Sequence, residues 1–231
     1  MQIIRDFSVG TAHGRAVERV VKRGMYLKTE DNEETLELEE PLNVFIPNPL
    51  EQPRISPSCM FRENAMEQYV SDLLNGSDKE FVYTYHDRLF AYPLMRDNLV
   101  LDQMNEVLVA LKRNPMTRRA QAITWVPEID LRSKEPPCLQ RIQFLIRGGK
   151  LNMSVEFRSR DILSAMGPNM YALTRMQEMV ARTLGVHVGW YSDTSVSAHV
   201  YFKRDIAELT KFMPEINDVD AFFNEVRGRK Y

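Results

Sequence analysis

The chain has 231 residues, 44% apolar and 27% charged, with 30 Lys and Arg against 32 Asp and Glu for a formal net charge of −2. These proportions exclude a disordered or fibrous chain. The near-neutral balance argues against a broad nucleic-acid-binding surface but permits a small anion site made from a few arginines, so no DNA partner is expected. No run approaches the roughly 18 apolar residues of a membrane span. The start Met1-Gln2-Ile3-Ile4-Arg5-Asp6 lacks the basic stretch and apolar block of a secretory leader, so a cytoplasmic protein with no membrane partner is expected.

In chain order, Val17, Val20 and Val21 form a helical stripe that stops at Gly24, and Leu36 and Leu38 then alternate with acidic residues as in a half-buried strand. Five prolines between Pro41 and Pro57 predict an extended surface connection. Met66, Tyr69, Val70, Leu73 and Leu74 make the next helical face, closed by Asn75-Gly76. Leu101, Met104, Val107, Leu108 and Leu111 make another, with Asn98 as its N-cap and Pro115 beyond its end. Ala120 to Val126 reads as a strand, and a helix follows from Asn169 to Leu184, closed by Gly185. With no internal repeat and no low-complexity run, residues 1–231 read as a single domain of mixed α/β class.

The C-terminal half is richer in strand signals. Ile142, Phe144 and Ile146 alternate with polar neighbours, Gly148-Gly149 follows, and Leu151, Met153, Val155 and Phe157 alternate again, the pattern of a hairpin with a two-residue turn. That turn sets Phe144 opposite Met153 and Ile142 opposite Val155; continued outward without a bulge, it sets Cys138 beside Ser159 and Leu139 beside Arg158. A thiol and a guanidinium become predicted neighbours. Further on, Val196, Ala198, Val200 and Phe202 share one strand face and Ser197, His199 and Tyr201 the other. His199 and Tyr201 thus point the same way, ready to hydrogen-bond a hydroxylated ligand, although an exposed sheet face would also hold them.

The two cysteines, Cys59 and Cys138, make neither a disulfide framework nor a zinc site, so each is a buried filler or a reactive thiol. Cys138 follows Pro136-Pro137, which fixes the approach of the chain, and a nearby arginine favours the thiolate, the form that attacks an electrophilic carbon. The competing reading is a small hydrophobe at a strand start. Arg158-Ser159-Arg160-Asp161 is either a solvated loop or a phosphate clamp made from a bidentate arginine and a hydroxyl, and Arg118-Arg119 has the same two readings. Asn169 either caps its helix or uses an amide with both donor and acceptor to read a pyrimidine edge. No second His or carboxylate stands at a ligand spacing from His199, so no metal is expected.

Together, Pro137-Cys138, Gln143-Phe144, Gly149-Lys150-Leu151, Arg158-Ser159-Arg160-Asp161, Asn169, Tyr171-Ala172-Leu173 and His199-Val200-Tyr201 resemble the C-terminal half of the thymidylate synthase family, in the same order and with matching gaps. Asp102-Gln103, Leu108, Leu111-Lys112, Asn114-Pro115, Arg118-Arg119 and Trp125 extend the resemblance upstream, so that it covers about residues 83–205. Tyr83-Thr84-Tyr85 with Arg88-Leu89, Phe157 directly before Arg158, and Ser195-Val196-Ser197-Ala198-His199 are similar to the short archaeal-type branch, which also has phage relatives.

The resemblance implies a mixed α/β fold with one large twisted sheet flanked by helices, its back packed against a two-fold mate in a homodimer. It implies that Cys138 attacks C6 of dUMP, so that C5 takes a one-carbon unit from a reduced pterin, either 5,10-methylenetetrahydrofolate or methylene-tetrahydromethanopterin. Asn169 would hold the N3–H and O4 edge of uracil, and His199 and Tyr201 the deoxyribose hydroxyl. Arg158 and Ser159 would grip the 5′-phosphate from within the subunit, Arg118 and Arg119 from the partner subunit. Asp161 would hydrogen-bond the pterin ring, and a helix carboxylate, Glu67 or else Glu63, would organise water and relay protons.

The chain also departs from the family. Leu139 stands where bacterial members carry His, Phe157 where a nucleotide-contacting Gln is usual, and Lys28 to Thr35 offers no counterpart of a mobile phosphate-binding Arg. The family's closing tail is not recognisable in Glu225 to Tyr231. Two other functions are therefore carried along: a dUMP or dCMP hydroxymethylase on the same fold, in which water rather than hydride completes the reaction, and a non-catalytic nucleotide-binding or RNA-binding module.

Overall fold

The structure, a computed structural model, describes residues 1–77, 83–95 and 99–230. Its elements run β1 (Gln2–Arg5), α1 (Val9–Arg23), β2 (Met25–Lys28), β3 (Glu34–Glu37), β4 (Leu42–Ile46), α2 (Glu63–Asn75), α3 (Tyr85–Phe90), β5 (Tyr92–Leu94), β6 (Leu99–Leu101) and α4 (Gln103–Arg113). They continue with β7 (Gln121–Ile123), α5 (Pro127–Asp130), β8 (Leu139–Arg147), β9 (Lys150–Asp161), α6 (Met166–Leu184), β10 (His187–Val200), α7 (Ile206–Phe212) and α8 (Val219–Arg227).

Local chemistry explains several of these boundaries. Ser8 caps α1 by accepting from the Thr11 N–H, Asp102 caps α4 by accepting from Asn105, and Asp218 caps α8 by accepting from Ala221. Gly148 and Gly149, at φ +58° and +70°, make the two-residue turn between β8 and β9, a conformation that L side chains adopt only with strain. The predicted register holds from Arg147 opposite Lys150 to Arg141 opposite Glu156.

The strands form one large mixed sheet in the order β1-β4-β10-β9-β8-β7, with β3 pairing the far end of β10 and β2 pairing β3; β5 and β6 make a separate ribbon. Strand β10 runs parallel to β9 across the crossover helix α6, and β1 runs parallel to β4. Helices α1 and α6 pack on the sheet, and the face of β10 that they cover buries Tyr191, Asp193 and Ser195 completely. On the other face Trp190, Ser192 and Thr194 are half-buried and Val196 is 47% exposed. Ala198, Val200 and Phe202 are nevertheless fully buried, with Phe202 packed on Phe222 and Phe223 of α8.

Several sequence expectations are corrected. The stretch after Pro41 is not a surface connection throughout: β4 pairs with both β1 and β10 and buries Leu42, Val44 and Ile46. Prolines at 41 and 47 flank this strand without entering it, so no ladder N–H is lost. The predicted cap Asn98 lies outside the described residues; Leu101 belongs to β6, and Asp102 starts the helix. Strand β7 stops at Ile123, short of Val126, which precedes Pro127 and α5. Helix α6 begins at Met166, so Asn169 lies in its first turn rather than at its cap. Strand β10 begins at His187, nine residues before Val196, and ends before Tyr201.

Candidate active site

Pro136-Pro137 delivers the chain to Cys138 at the mouth of β8. Between Leu139 and Arg141 the β8–β9 pairing slips by one residue, so Leu139 faces Phe157 and the Cys138 carbonyl accepts from the Arg158 N–H at 2.9 Å. This bulge brings Arg158, rather than Ser159, level with the cysteine. The Arg158 guanidinium is held by the carbonyls of Pro137 (Nε, 3.0 Å) and Pro136 (Nη2, 2.7 Å), and Nη2 stands 3.8 Å from Cys138 Sγ. Burial pushes the Cys138 thiol up, while Arg158 and Arg160 pull it down less strongly. Before a ligand arrives the cysteine is therefore a thiol with a cation beside it, not the thiolate that proximity to arginine alone suggests.

Three tyrosines surround this thiol. Tyr85 accepts the Leu139 N–H at 3.2 Å, Tyr83 packs on Tyr85 with ring centroids 5.8 Å apart, and Tyr69 donates to Asn169 Oδ1 at 2.8 Å. Burial pushes each phenol up, Tyr69 to about 12, and ionisation of Cys138 would add to each shift, which places all three within electrostatic reach of the sulfur. Tyr201 responds in the same way. Tyr69 lies between two recesses on either side of α2, one of about 400 Å³ running to Pro168 and Asn169 and one of about 330 Å³ running to Tyr83 and Tyr85.

Asn169 is buried in the first turn of α6, its Nδ2 donating to the Ala165 carbonyl at 2.6 Å. Arg160 anchors this turn from below: its Nη1 meets Asp193 at 2.5 Å, its Nη2 donates to the Met166 carbonyl at 3.4 Å, and its guanidinium lies 3.7 Å over the Phe157 ring. Tyr191 donates to the other Asp193 oxygen at 2.5 Å. At the end of the sheet Asp161 and His199 are cross-strand partners. Asp161 accepts from the Leu163 and Ser164 N–H groups and from Arg204, which also stacks on Tyr201 at 3.9 Å. Burial holds His199 below its usual pKa against the opposing pull of Asp161 and Glu37, so near neutrality it is an uncharged donor and acceptor. His199 and Tyr201 meet edge to face, 5.1 Å apart.

The model of the family described as thymidylate synthase matches residues 63–218. A protein provisionally named thymidylate synthase from Methanocaldococcus jannaschii is 36% identical over 220 residues, 93% of this chain and 97% of the relative. One with the same provisional name from Methanosarcina acetivorans is 34% identical over 87% of this chain and 89% of its own length. The chain belongs to the thymidylate synthase family. Its architecture, a large mixed sheet flanked by helices, is that fold, and the archaeal relatives agree with the branch read from the sequence.

Within this family member the expected site residues fall into two groups. Cys138, Arg158, Asp161, Asn169, His199 and Tyr201 lie around the mouth of β8 and β9, the end of β10 and the start of α6, and Ser159 lies beside Ser197 in the same sheet. Arg118 and Arg119 do not join them. They are exposed on the turn before edge strand β7, beside a surface recess of about 470 Å³ lined also by Arg113 and Asn114. In register, Ala120 bonds to Phe144, which faces Met153, so the arginine pair sits roughly 15–20 Å along the sheet from Arg158. Glu67 turns to the side of α6, where Tyr171 donates to it at 2.5 Å and Arg175 lies 3.7 Å away; Glu63 is exposed in the first turn of α2.

Sequence reasoning gives Tyr69 no role beyond a helical face, and places Arg160 only within the run Arg158 to Asp161 without a role of its own. Tyr69 occurs at a core spacing beside Met66, Val70 and Leu73, and only its phenol oxygen distinguishes it from a filler. Arg160 stands in a polar run with Arg158, Ser159 and Asp161, which reads as a solvated strand end, and its partner Asp193 lies in the part of β10 that the sequence left unread. An arginine and an aspartate with 1% and 0% side-chain exposure must be paired, but spacing does not say with what.

Proposed function

We propose that this protein is a thymidylate synthase, converting dUMP to dTMP with a methylene-bearing reduced pterin, and that residues 1–231 act as one catalytic unit. The observation that carries the reading is the Cys138 thiol 3.8 Å from a guanidinium already fixed by two backbone carbonyls, with a buried amide on the adjoining helix turn. Addition of Cys138 Sγ to C6 of the pyrimidine makes C5 electron-rich, a change the bare ring resists. Arg158 stabilises the thiolate that must form and, with Ser159, takes the 5′-phosphate. Asn169 holds the N3–H and O4 edge of uracil, while His199 and Tyr201 take the deoxyribose hydroxyl. The recess between α2 and α6 suits a flat heterocycle: Phe61, Met66 and Pro168 supply apolar walls. Asp161, held by two N–H groups and Arg204, keeps acceptor capacity for the pterin ring. When bound, the pterin, as folate or methanopterin, supplies the carbon and, for thymidylate, the hydride. A helix carboxylate, Glu67 before Glu63, is assigned the proton relay.

The half-open back of the sheet, carrying Ile3, Phe45, Trp190 and Val196, is proposed as the homodimer contact, through which Arg118 and Arg119 of a second subunit reach the phosphate. Among the described residues no helix is long and apolar enough to cross a membrane, and the cytoplasm is the proposed location.

A specific observation keeps hydroxymethylation as a second reading. Arg229 is tied to Val21 and Tyr26 and pairs with Glu225, so the described C-terminal residues are occupied against α1 and β2 rather than over Cys138. Water access decides the outcome. Incubation of dUMP with methylenetetrahydrofolate and, separately, methylene-tetrahydromethanopterin, followed by product mass, tests both readings. dTMP with an oxidised pterin is expected, whereas hydroxymethyl-dUMP with the tetrahydropterin recovered replaces the first reading with the second.

A further inference from the structure

We infer that Tyr69 sets the pyrimidine specificity of the pocket by holding the Asn169 amide in the one orientation that complements uracil; this rests on the proposal that Asn169 faces the base. A primary amide presents an acceptor and a donor side by side, and a half-turn exchanges them. Uracil offers N3–H and O4; cytosine offers a bare N3 and an amino group. A freely turning Asn169 would therefore suit both rings.

In this structure the amide is not free to turn. Nδ2 donates to the Ala165 carbonyl at 2.6 Å, and Oδ1 accepts from Tyr69 Oη at 2.8 Å. The Ala165 carbonyl also takes the Asn169 backbone N–H at 3.0 Å, and a carbonyl can only accept. A half-turn would set Oδ1 against that carbonyl and require Tyr69 to reverse its O–H. Tyr69, its phenol pushed up to about 12 by burial, stays protonated and keeps the donor. One N–H and one lone pair of the amide remain unused, arranged to meet O4 and N3–H. Tyr69 is a positioning residue in this scheme and does not touch the reacting atoms.

The test is the dissociation constant of dUMP and of dCMP, measured calorimetrically without pterin, for the intact protein and for Tyr69→Phe. The intact protein should prefer dUMP, and Tyr69→Phe should lose about tenfold of that preference, the usual effect of one hydrogen bond. A general loss of structure would weaken both nucleotides alike and leave the ratio unchanged. A folded Tyr69→Phe protein that keeps its full preference overturns the inference while leaving the proposed function standing. Failure of the intact protein to bind either nucleotide overturns both. Tyr69→Met, which also lacks the hydroxyl, gives the same reading should the Phe variant not fold.

Discussion

Cys138 and Arg158 face each other across the β8–β9 hairpin, the Arg158 N–H donating to the Cys138 carbonyl at 2.9 Å and its guanidinium standing 3.8 Å from the thiol. The arginine is anchored by Pro136 and Pro137 before any ligand arrives, so its charge acts on the sulfur in the resting protein. Because burial pushes the thiol up and Arg158 is the largest opposing influence, iodoacetamide should alkylate Cys138 faster as pH rises through the alkaline range. Arg158→Gln should move that profile to still higher pH and slow the reaction severalfold at a fixed pH of about 8. Peptide mass spectrometry separates Cys138 from Cys59; an unchanged profile would show that the arginine does not act on the sulfur.

The Arg160–Asp193 pair is buried on all sides, with Tyr191 completing the aspartate and a ring beneath the guanidinium. Arg160→Met leaves a carboxylate in the core with one phenol for company, which should cost about 3–5 kcal/mol. For a chain of this size that is a fall in Tm of about 6–20 °C. Replacing Asp193 by Leu in the same protein should recover part of the loss, because the unpaired charge is then gone. Thermal unfolding of the single and double variants checks this; a double variant no better than the single would mean that packing, not charge, dominates there.

How much of this was legible in the sequence depended on the range of the interactions. The β8–β9 hairpin was readable because two glycines and strict alternation fix its register locally, and the reading failed only where a bulge, a feature with no sequence mark here, shifted Leu139 onto Phe157. The first half of β10 was missed because Gly189, Ser192, Asp193, Thr194 and Ser195 do not look apolar. Three of them are met by side chains distant in sequence: Asn43 donates to Ser192 and Thr194, and Arg160 pairs with Asp193. Cys138, Arg158, Asn169 and His199 stand out as candidates through motif order. Tyr69 does not, since its contact is with an amide 100 positions later in the chain.

Glu34 joins three parts of the chain, accepting from Nε and Nη2 of Arg227 at 2.8 Å, from Lys203 at 3.2 Å and from the Tyr26 hydroxyl at 3.1 Å. Arg227, first among these, holds the Glu34 carboxyl down at about 2 against an ordinary 4.5. A carboxyl lowered on folding stabilises the protein above its unfolded pKa, and the benefit fades as pH falls from about 4.5 through about 2. Glu34→Gln should thus cost about 1 kcal/mol at pH 7 and make progressively less difference below pH 4.5. Urea unfolding at pH 7, 4 and 3 measures the difference; a constant gap across that range would remove Glu34 as its source.

Arg118 and Arg119 cannot serve the Arg158 site of their own chain, since roughly 15–20 Å of sheet separates them. If they complete the site of a second subunit, Cys138→Ser and the double variant Arg118→Ala/Arg119→Ala should each be inactive alone. Mixed after mild denaturation and refolding, half of the dimers should combine one subunit of each kind. In such a dimer the Cys138→Ser chain lends its intact arginines to the only intact thiol, giving one working site of two. The mixture should regain about a quarter of the unsubstituted activity, read as pterin-dependent turnover of dUMP. A mixture as inactive as its components would place the arginine pair outside the phosphate site and leave Arg158 and Ser159 to bind the phosphate unaided.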